Sequence, residues 1–247
     1  MNKIVTGFYV VFILSIQPVV AHAAVETDTF MTSKGELVIT HVGHGSLMFS
    51  FDNMIIHVDP FSKQGDYGSF PKADIVLITH EHRDHLDLQA VNLITKNDTV
   101  FVVNEAAAPQ LPDAVVMKNG QQRTVKDVRI EAVAAYNLLH MRENGNPYHP
   151  RGNGNGYVVN FADKRVYVAG DTENIPEMKT LGAIDIAFLP MNLPYTMTPE
   201  MTADAAVKVH PKVLIPYHYG KTDTATLHQL LQGSGIEIRI PGSNAPD

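Results

Sequence analysis

The chain has 247 residues, a formal net charge of −7 and no cysteine. An acidic chain without runs of lysine or arginine binds nucleic acid poorly, so we expect no nucleic-acid partner. The 45% hydrophobic content is enough for a sizeable core. Because cysteine is absent, the fold depends on no disulfide and is compatible with an oxidising compartment.

The amino-terminal segment has the pattern of an export signal rather than of a folded element. Lys3 precedes an apolar stretch over 4–20, and Ala21-His22-Ala23 is a small-x-small cleavage site. Polar residues, a glycine and a proline interrupt this stretch, so its apolar part is too short to span a membrane. We therefore predict a signal peptide over 1–23 and a mobile leader over 24–34. The expected location is periplasmic or secreted, with no integral membrane span after cleavage.

From residue 35 to residue 247 the chain predicts a single domain. A strand over 37–40 is followed by a hairpin with its turn at Asp52-Asn53. The hairpin ends at Asp59, and a loop over 62–71 with turn composition comes next.

A cluster of histidines and acids follows the apolar run over 74–78, which predicts a short buried strand. The cluster reads Thr79-His80-Glu81-His82-Arg83-Asp84-His85-Leu86-Asp87. His80 and His82 are two positions apart at the strand end, so their side chains leave the turning chain on a similar side. Imidazole nitrogens and a carboxylate suit zinc or a similar divalent ion. We predict a metal site here rather than a polar loop with incidental histidines.

The rest of the chain contains a weak internal repeat. A predicted hairpin over 157–168 ends close to Asp171, and a second buried run over 185–190 begins fourteen residues after that acid. The first buried run begins fifteen residues after Asp59. Each half is thus a hairpin ending at an acid, then a crossover, then a buried strand. Two such halves placed face to face give a sandwich with helices outside.

Between the halves lies a loop over 137–155 that is rich in asparagine, glycine and proline and contains His140 and His149. A structureless loop of this length in a compact domain is more often functional than not. Further on, Thr198-Pro199 predicts the start of a helix. A strand over 212–216 then ends just before His218.

The sequence H-x-H-x-D-H after a strand, filled here by His80, His82, Asp84 and His85, resembles the signature of the metallo-β-lactamase superfamily. Many members continue with glycines, whereas this chain has Leu86-Asp87. In that respect it resembles the branch that holds ascorbate-phosphate lactonase and the phospholipase D that cleaves N-acyl-phosphatidylethanolamine. The resemblance covers roughly residue 35 to the end. It implies an α/β fold, the αββα sandwich, with two divalent ions, most readily Zn²⁺, with Mn²⁺ or Fe²⁺ as alternatives.

The resemblance also implies a ligand set. The first ion would take His80, His82 and His149; the second would take Asp84, His85 and His218; Asp171 would bridge the two ions. His149 is preferred as third ligand because Pro150 restrains it, and His140 is the fallback. Asp59 would accept an N–H from a ligand histidine and fix its tautomer. His44, Tyr195 and Arg151 are candidates for substrate contact, and Arg142 lies in the same loop as Arg151.

The activity implied is metal-dependent hydrolysis of a small-molecule substrate. A water that bridges two ions loses its proton near neutral pH, and the hydroxide attacks a carbonyl carbon or a phosphorus. Asp84 would act as the catalytic residue that orients this hydroxide. The predicted substrate is a small ester, lactone or phosphodiester. The alternatives are a β-lactamase-type amide hydrolase and a non-catalytic metal-binding module on the same fold.

Overall fold

The computed structural model describes residues 25–241, so the predicted signal peptide lies outside the described residues. The strands are β1 (Glu26–Thr32), β2 (Gly35–Gly43), β3 (Ser46–Phe51), β4 (Met54–Val58), β5 (Ile75–Leu77), β6 (Val100–Val103), β7 (Val115–Val116), β8 (Gln122–Val125), β9 (Val128–Ala135), β10 (Gly154–Phe161), β11 (Lys164–Val168), β12 (Ile186–Pro190), β13 (Val213–Tyr217) and β14 (Glu237–Ile238). The α-helices are α1 (Leu88–Ile94), α2 (Pro199–Val209) and α3 (Thr226–Leu230), and 3₁₀ turns occur at Ala108–Gln110 and Pro176–Thr180.

The strands form two seven-stranded sheets with the same internal order. The first sheet runs β1-β2-β3-β4-β5-β6-β7, and the second runs β8-β9-β10-β11-β12-β13-β14. In both sheets the first four strands pair antiparallel and the last three are added in parallel. This is the repeat of hairpin, crossover and buried strand that the sequence predicts, now extended to every strand of each half.

Three apolar layers show how the sheets and helices are stacked. The central layer joins the inner faces of both sheets, where Phe49 lies 5.3 Å from Phe161 and 6.2 Å from Phe188 between ring centroids. A second layer packs the outer face of one sheet against α2 and α3, and a third packs the other sheet against α1. Because each sheet buries both faces, the parallel strands β5, β12 and β13 are fully buried and apolar. The αββα sandwich is confirmed.

The prediction of a mobile leader over 24–34 is wrong, because most of this segment forms the edge strand β1. It pairs antiparallel with β2 from Glu26 opposite His41 to Thr32 opposite Gly35. Asp28 on this strand lies 2.9 Å from the His41 Nε2 and accepts a hydrogen bond from Arg239 at 2.9 Å. The folded domain therefore begins before residue 35.

Local capping explains where the helices begin. Asp87 caps α1 by accepting a hydrogen bond from the Gln89 N–H, and Thr198 caps α2 in the same way from Met201, with Pro199 in the first turn. The cap at Thr198 agrees with the sequence pattern. Within residues 25–241 no helix is long and apolar enough to cross a membrane.

Candidate metal centre

The candidate site lies where the carboxyl ends of parallel strands from both sheets meet. The motif that begins at His80 follows β5, Asp171 follows β11 and His218 follows β13 directly. Backbone hydrogen bonds hold these ends together: the His218 N–H donates to the His44 carbonyl at 2.9 Å. The Asn155 N–H donates to the Thr79 carbonyl, which joins the two sheets beside the motif.

A first cluster consists of His80, His82 and His149, whose ring nitrogens all lie within 4.8 Å of one another. The His80 Nε2 is 3.0 Å from the His82 Nδ1. Three imidazoles that converge in this way form a donor set suited to a divalent metal ion. The structure thus brings together the three residues predicted for the first ion.

Asn137 explains why His149, and not His140, reaches this cluster. The Asn137 Oδ1 accepts hydrogen bonds from the His149 backbone N–H and from its Nδ1, both at 2.8 Å. This fixes the ring so that its Nε2 faces the cluster. Asn137 is held in turn by the buried carboxylate of Glu173, which accepts its Nδ2 at 3.0 Å. The Nδ1 of His140 lies 2.8 Å from the same carboxylate, and His140 belongs to none of the metal-type clusters among the described residues.

A second cluster contains Asp84, His85, His218 and also His44. The Asp84 Oδ2 lies 3.9 Å from the His85 Nε2, 3.8 Å from the His218 Nε2 and 3.0 Å from the His44 Nε2. His44 adopts a left-handed turn conformation with φ of 52°, and its ring centroid lies 3.7 Å from that of His218. Its backbone therefore makes the turn while its side chain contacts Asp84.

Asp171 lies between the two clusters and presents one oxygen to each. Its Oδ2 is 3.3 Å from the His149 Nε2 and 4.0 Å from the His80 Nε2. Its Oδ1 is 3.5 Å from the His85 Nε2 and 3.6 Å from the His218 Nε2. A carboxylate in this position has the geometry of a bridge between two ion sites.

Unpartnered buried atoms test whether metal ions fit this arrangement. Among the described residues, Asp171 Oδ1, His85 Nε2 and His218 Nε2 are buried and have no hydrogen-bond partner. Buried polar atoms are normally satisfied, and leaving one unsatisfied costs about 1–3 kcal/mol. All three atoms face one another at the second cluster. A divalent ion bound by them would satisfy all three, so the donor set fits a metal.

Asp59 lies beneath the second cluster and is fully buried. Its Oδ2 is 2.8 Å from the His85 Nδ1, and it accepts hydrogen bonds from the N–H and hydroxyl of Thr79 at 2.8 and 2.6 Å. These contacts leave only the Nε2 of His85 free to face Asp171. The geometry is the one predicted for an acid that orients a ligand histidine.

Burial and neighbouring charge shift the pKa values of the cluster in directions that favour metal binding. Burial, together with the charge of His85, lowers the pKa of His80 well below its usual value, so its ring is neutral. Burial alone would raise the pKa of Asp171, but His218 and His85 lower it well below the usual range. Burial would likewise raise the pKa of Asp84, but the nearby imidazoles of His218 and His44 outweigh it and lower that pKa below its usual value. Neutral imidazoles and ionised carboxylates are the forms that bind metals.

The pKa of His85 shifts in the opposite direction. Burial lowers it, but Asp171 and Asp59 on either side raise it well above its usual value. The position between these carboxylates therefore favours a positive charge. A bound cation would supply that charge in place of the proton.

An open cleft of about 420 Å³ leads to the clusters. Its lining residues are His44, His82, Arg83, Asp84, Arg142, Tyr148, His149, Asp171, Asn192, Tyr195 and His218. His44 and Tyr195, two of the residues predicted to contact substrate, therefore border the site.

The structure does not place Arg151, the third residue predicted to contact substrate, in this cleft. Its guanidinium lies over the Tyr136 ring and pairs with Glu177 at 2.7 Å, and its side chain lines a separate cavity. The neighbouring Arg142 lines the cleft instead. The sequence placed both arginines in one loop, but only the fold of the loop decides which one faces the site.

The profile of the beta-lactamase superfamily domain matches residues 38–218, which is more than half of the chain. The chain belongs to the metallo-β-lactamase superfamily. A UPF0173 metal-dependent hydrolase of Methanopyrus kandleri is 32% identical over 224 residues, covering 82% of this chain and 94% of the relative.

Two solved structures show the same superfamily fold. A protein of Parabacteroides distasonis, provisionally named a metal-dependent hydrolase, is 51% identical, with a TM-score of 0.84, over 87% of this chain and 98% of that one. A metallo hydrolase from Ignicoccus hospitalis has a TM-score of 0.68 over 83% and 94% of the two chains. At 23% identity, this second likeness shows the fold alone. The branch indicated by Leu86-Asp87 stays a prediction.

Sequence reasoning missed Asn137 and Glu173, which position His149, and Arg83, which lines the cleft. Short sequence patterns gave no signal for Asn137, because its partner is a histidine from twelve residues further along the chain.

Proposed function

We propose that the protein is a dinuclear metal-dependent hydrolase that acts on a small ester, lactone or phosphodiester. The observation that carries the proposal is Asp171, whose two oxygens face two separate groups of imidazole nitrogens. The relatives named as metal-dependent hydrolases support the same reaction type.

Seven side chains would hold two ions. The first ion would be held by His80, His82 and His149 and the second by Asp84, His85 and His218, and Asp171 would contribute to both sites. When bound, the ions would supply Lewis acidity and a water whose pKa is lowered to roughly 7. Zinc suits this set of imidazoles and carboxylates, with manganese or iron as alternatives.

The protein's own residues would position the reactants in the cleft. The carboxylate of Asp84 is ionised and partly exposed toward the cleft, so it can orient a water by accepting its hydrogen. His44 donates to Asp84 at 3.0 Å and keeps that carboxylate in place. Tyr195 and Asn192 also line the cleft and could offer polar groups to a substrate oxygen. Reacting groups held in this way avoid much of the entropic cost of meeting in solution.

The test combines elemental analysis with a substrate panel. Protein purified without chelator should contain close to two divalent ions per chain. It should hydrolyse at least one of p-nitrophenyl acetate, dihydrocoumarin and bis(p-nitrophenyl) phosphate, and chelator should abolish that hydrolysis. Metal content near zero would contradict the proposal. Two ions without any turnover would favour the binding module, and turnover of nitrocefin alone would favour the amide hydrolase.

We also propose that the chain is exported, on the strength of Lys3, the apolar stretch over 4–20 and Ala21-His22-Ala23. Mass spectrometry of protein from its native host should show a chain that starts at Ala24 or Val25. A full-length chain in the cytoplasm would contradict export.

A further inference from the structure

The arginines of the described chain fall into two groups according to their partners. Each member of the larger group lies within 4.0 Å of a carboxylate oxygen: Arg129, Arg151, Arg165 and Arg239. Within residues 25–241 no such oxygen lies near Arg83, Arg123 or Arg142, so these three have no ion pair there. Two of these three, Arg83 and Arg142, line the cleft that leads to the metal clusters. Two of the three arginines without an ion pair among residues 25–241 therefore lie beside the candidate site.

The structure orders Arg142 without neutralising its charge. Its backbone N–H donates to the Asn146 carbonyl at 2.7 Å, and its carbonyl accepts from the Gly145 N–H at 2.9 Å, so it lies in a closed turn. Its guanidinium lies 5.0 Å from the centre of the Tyr148 ring. It also donates a hydrogen bond to the backbone carbonyl of Tyr148 at 3.2 Å. An arginine stacked on an aromatic ring keeps most of its N–H donors free for a ligand.

The same stack connects two loops around the cleft. The Tyr148 ring packs edge-on against Tyr195, with centroids 5.1 Å apart and an angle of 79° between the rings. Tyr195 is itself fixed by its carbonyl, which accepts the Asn137 Nδ2 at 2.9 Å. The arrangement runs from Arg142 through two tyrosines to the asparagine that positions His149. Arg142 is therefore positioned relative to the metal clusters through packed side chains.

We propose that Arg142 and Arg83 form an anion-binding subsite that holds a phosphate or carboxylate group of the substrate beside the metal ions. This inference rests on the proposed function and narrows it, because it selects substrates that carry a negative charge. Arginine presents a planar set of N–H donors that match the two oxygens of such groups. The protein as a whole has a net charge of −7 and repels anions at long range, so the attraction of an anion to the cleft would depend on these two arginines.

Equilibrium binding to the zinc-loaded protein tests the subsite without requiring turnover. The probes are phenylphosphonate, benzoate and the neutral benzamide, and the variants are Arg142→Ala, Arg83→Ala and the double variant. Arg123→Ala is the matched control, since Arg123 is also exposed and unpaired but lies on β8 away from the cleft. Isothermal titration measures each affinity at equal zinc content.

Removing Arg142 should weaken binding of the anionic probes roughly ten- to hundredfold, which is typical of a lost charge-assisted hydrogen bond. The double variant should lose more, benzamide should be unaffected, and Arg123→Ala should match the wild type. Phenylphosphonate and benzoate distinguish a phosphate subsite from a carboxylate subsite. Anion affinities within twofold of wild type in the double variant, or no anion binding by the wild type, would overturn the proposal.

The two proposals fail in different ways. If neutral and anionic substrates are hydrolysed equally by the wild type and the double variant, the hydrolase stands and the subsite does not. If anion binding depends on Arg142 but no substrate is turned over, the subsite stands and the hydrolase assignment does not.

Discussion

Asp59 and Asp171 occupy corresponding places in the two halves of the molecule, yet their surroundings differ. Asp59 follows β4, is fully buried and is surrounded by donors from Thr79 and His85. Asp171 follows β11 and faces imidazole nitrogens of four histidines at 3.3 to 4.0 Å.

The pKa values of the two carboxyls show the same contrast. Burial raises the pKa of Asp59, and the charge of His85 with the hydrogen bonds from His85 and Thr79 only partly offsets that effect. Burial also acts on Asp171, but the charges of His218 and His85 outweigh it and lower its pKa. A repeat in the sequence therefore locates equivalent positions, but the residues that meet there differ, so that Asp171 faces both histidine clusters whereas Asp59 faces only His85 and Thr79.

Replacing the bridging acid should have the largest effect. In Asp171→Asn one oxygen becomes an amide nitrogen, which cannot bind an ion, so one of the two sites loses this donor. The substitution also removes one negative charge that both sites share. We expect metal affinity to fall by more than the roughly 100-fold that marks the upper range for residues behind the ligands. Equilibrium dialysis with elemental analysis is the measurement. A variant that retains two ions at wild-type affinity would show that Asp171 does not bridge.

The two loop histidines offer the next largest contrast. His149→Ala should remove a donor from the first site and weaken metal binding there by at least about 10–100-fold. His140→Ala should leave the metal content unchanged, because the His140 Nδ1 lies against Glu173 rather than in the cluster. Zinc titration of both variants, each checked for folding by circular dichroism, is the test. The opposite outcome, with the first site emptied only by His140→Ala, would reverse the assignment.

Local patterns in the sequence predicted much of this architecture. The sandwich with helices outside, the buried strand before the motif and the cap at Thr198 follow from short stretches of chain or from the repeat. The meeting of the motif residues with Asp171 and His218 was implied by the resemblance to the superfamily, and the structure brings these residues together.

The errors arose where distant contacts decide the outcome. Residues 26–32 were predicted to belong to a mobile leader, but they form a strand on which Asp28 is held by Arg239, 211 positions further along the chain. Arg151 was expected at the site, but its rotamer is set by Glu177 in another segment. In both cases the local sequence is compatible with either outcome, and only the packed structure selects one.

Asp59→Asn should have a smaller effect than either ligand change. The amide can place its oxygen toward only one of the donors around it, so its nitrogen would oppose the N–H of Thr79 or His85 and reorient the His85 ring. We expect about 10–100-fold weaker binding at the second site, with the first site unchanged. Cobalt substitution followed by visible spectroscopy can distinguish the two sites. Loss of both ions together would mean that Asp59 acts on the fold as a whole and not on His85 alone.

The smallest expected effect is on the pH dependence of stability. It concerns two buried residues at corresponding positions of the two halves, His57 on β4 and Tyr167 on β11, whose side chains point into the outer layers. Burial lowers the pKa of His57 to about 4 from 6.5, while its Nε2 donates to the Pro71 carbonyl at 3.0 Å. Tyr167 has its pKa raised by burial and stays neutral in acid. Only the first half therefore carries a group here that titrates between pH 7 and pH 4.

The sign of the effect follows from proton binding. Below pH 6.5 the unfolded chain protonates His57 while the folded chain does not, so stability falls as the pH drops toward 4. For this residue the loss of unfolding free energy between pH 7 and pH 5 is about 2 kcal/mol.

His57→Gln keeps a donor toward Pro71 but cannot titrate, so its stability relative to wild type should improve by about that amount between pH 7 and pH 5. Urea unfolding with chelator present measures it, and His228→Gln, at an exposed position, should leave the pH dependence of wild type unchanged. Parallel pH profiles for His57→Gln and wild type would show that His57 is already protonated in the folded state or accessible to solvent.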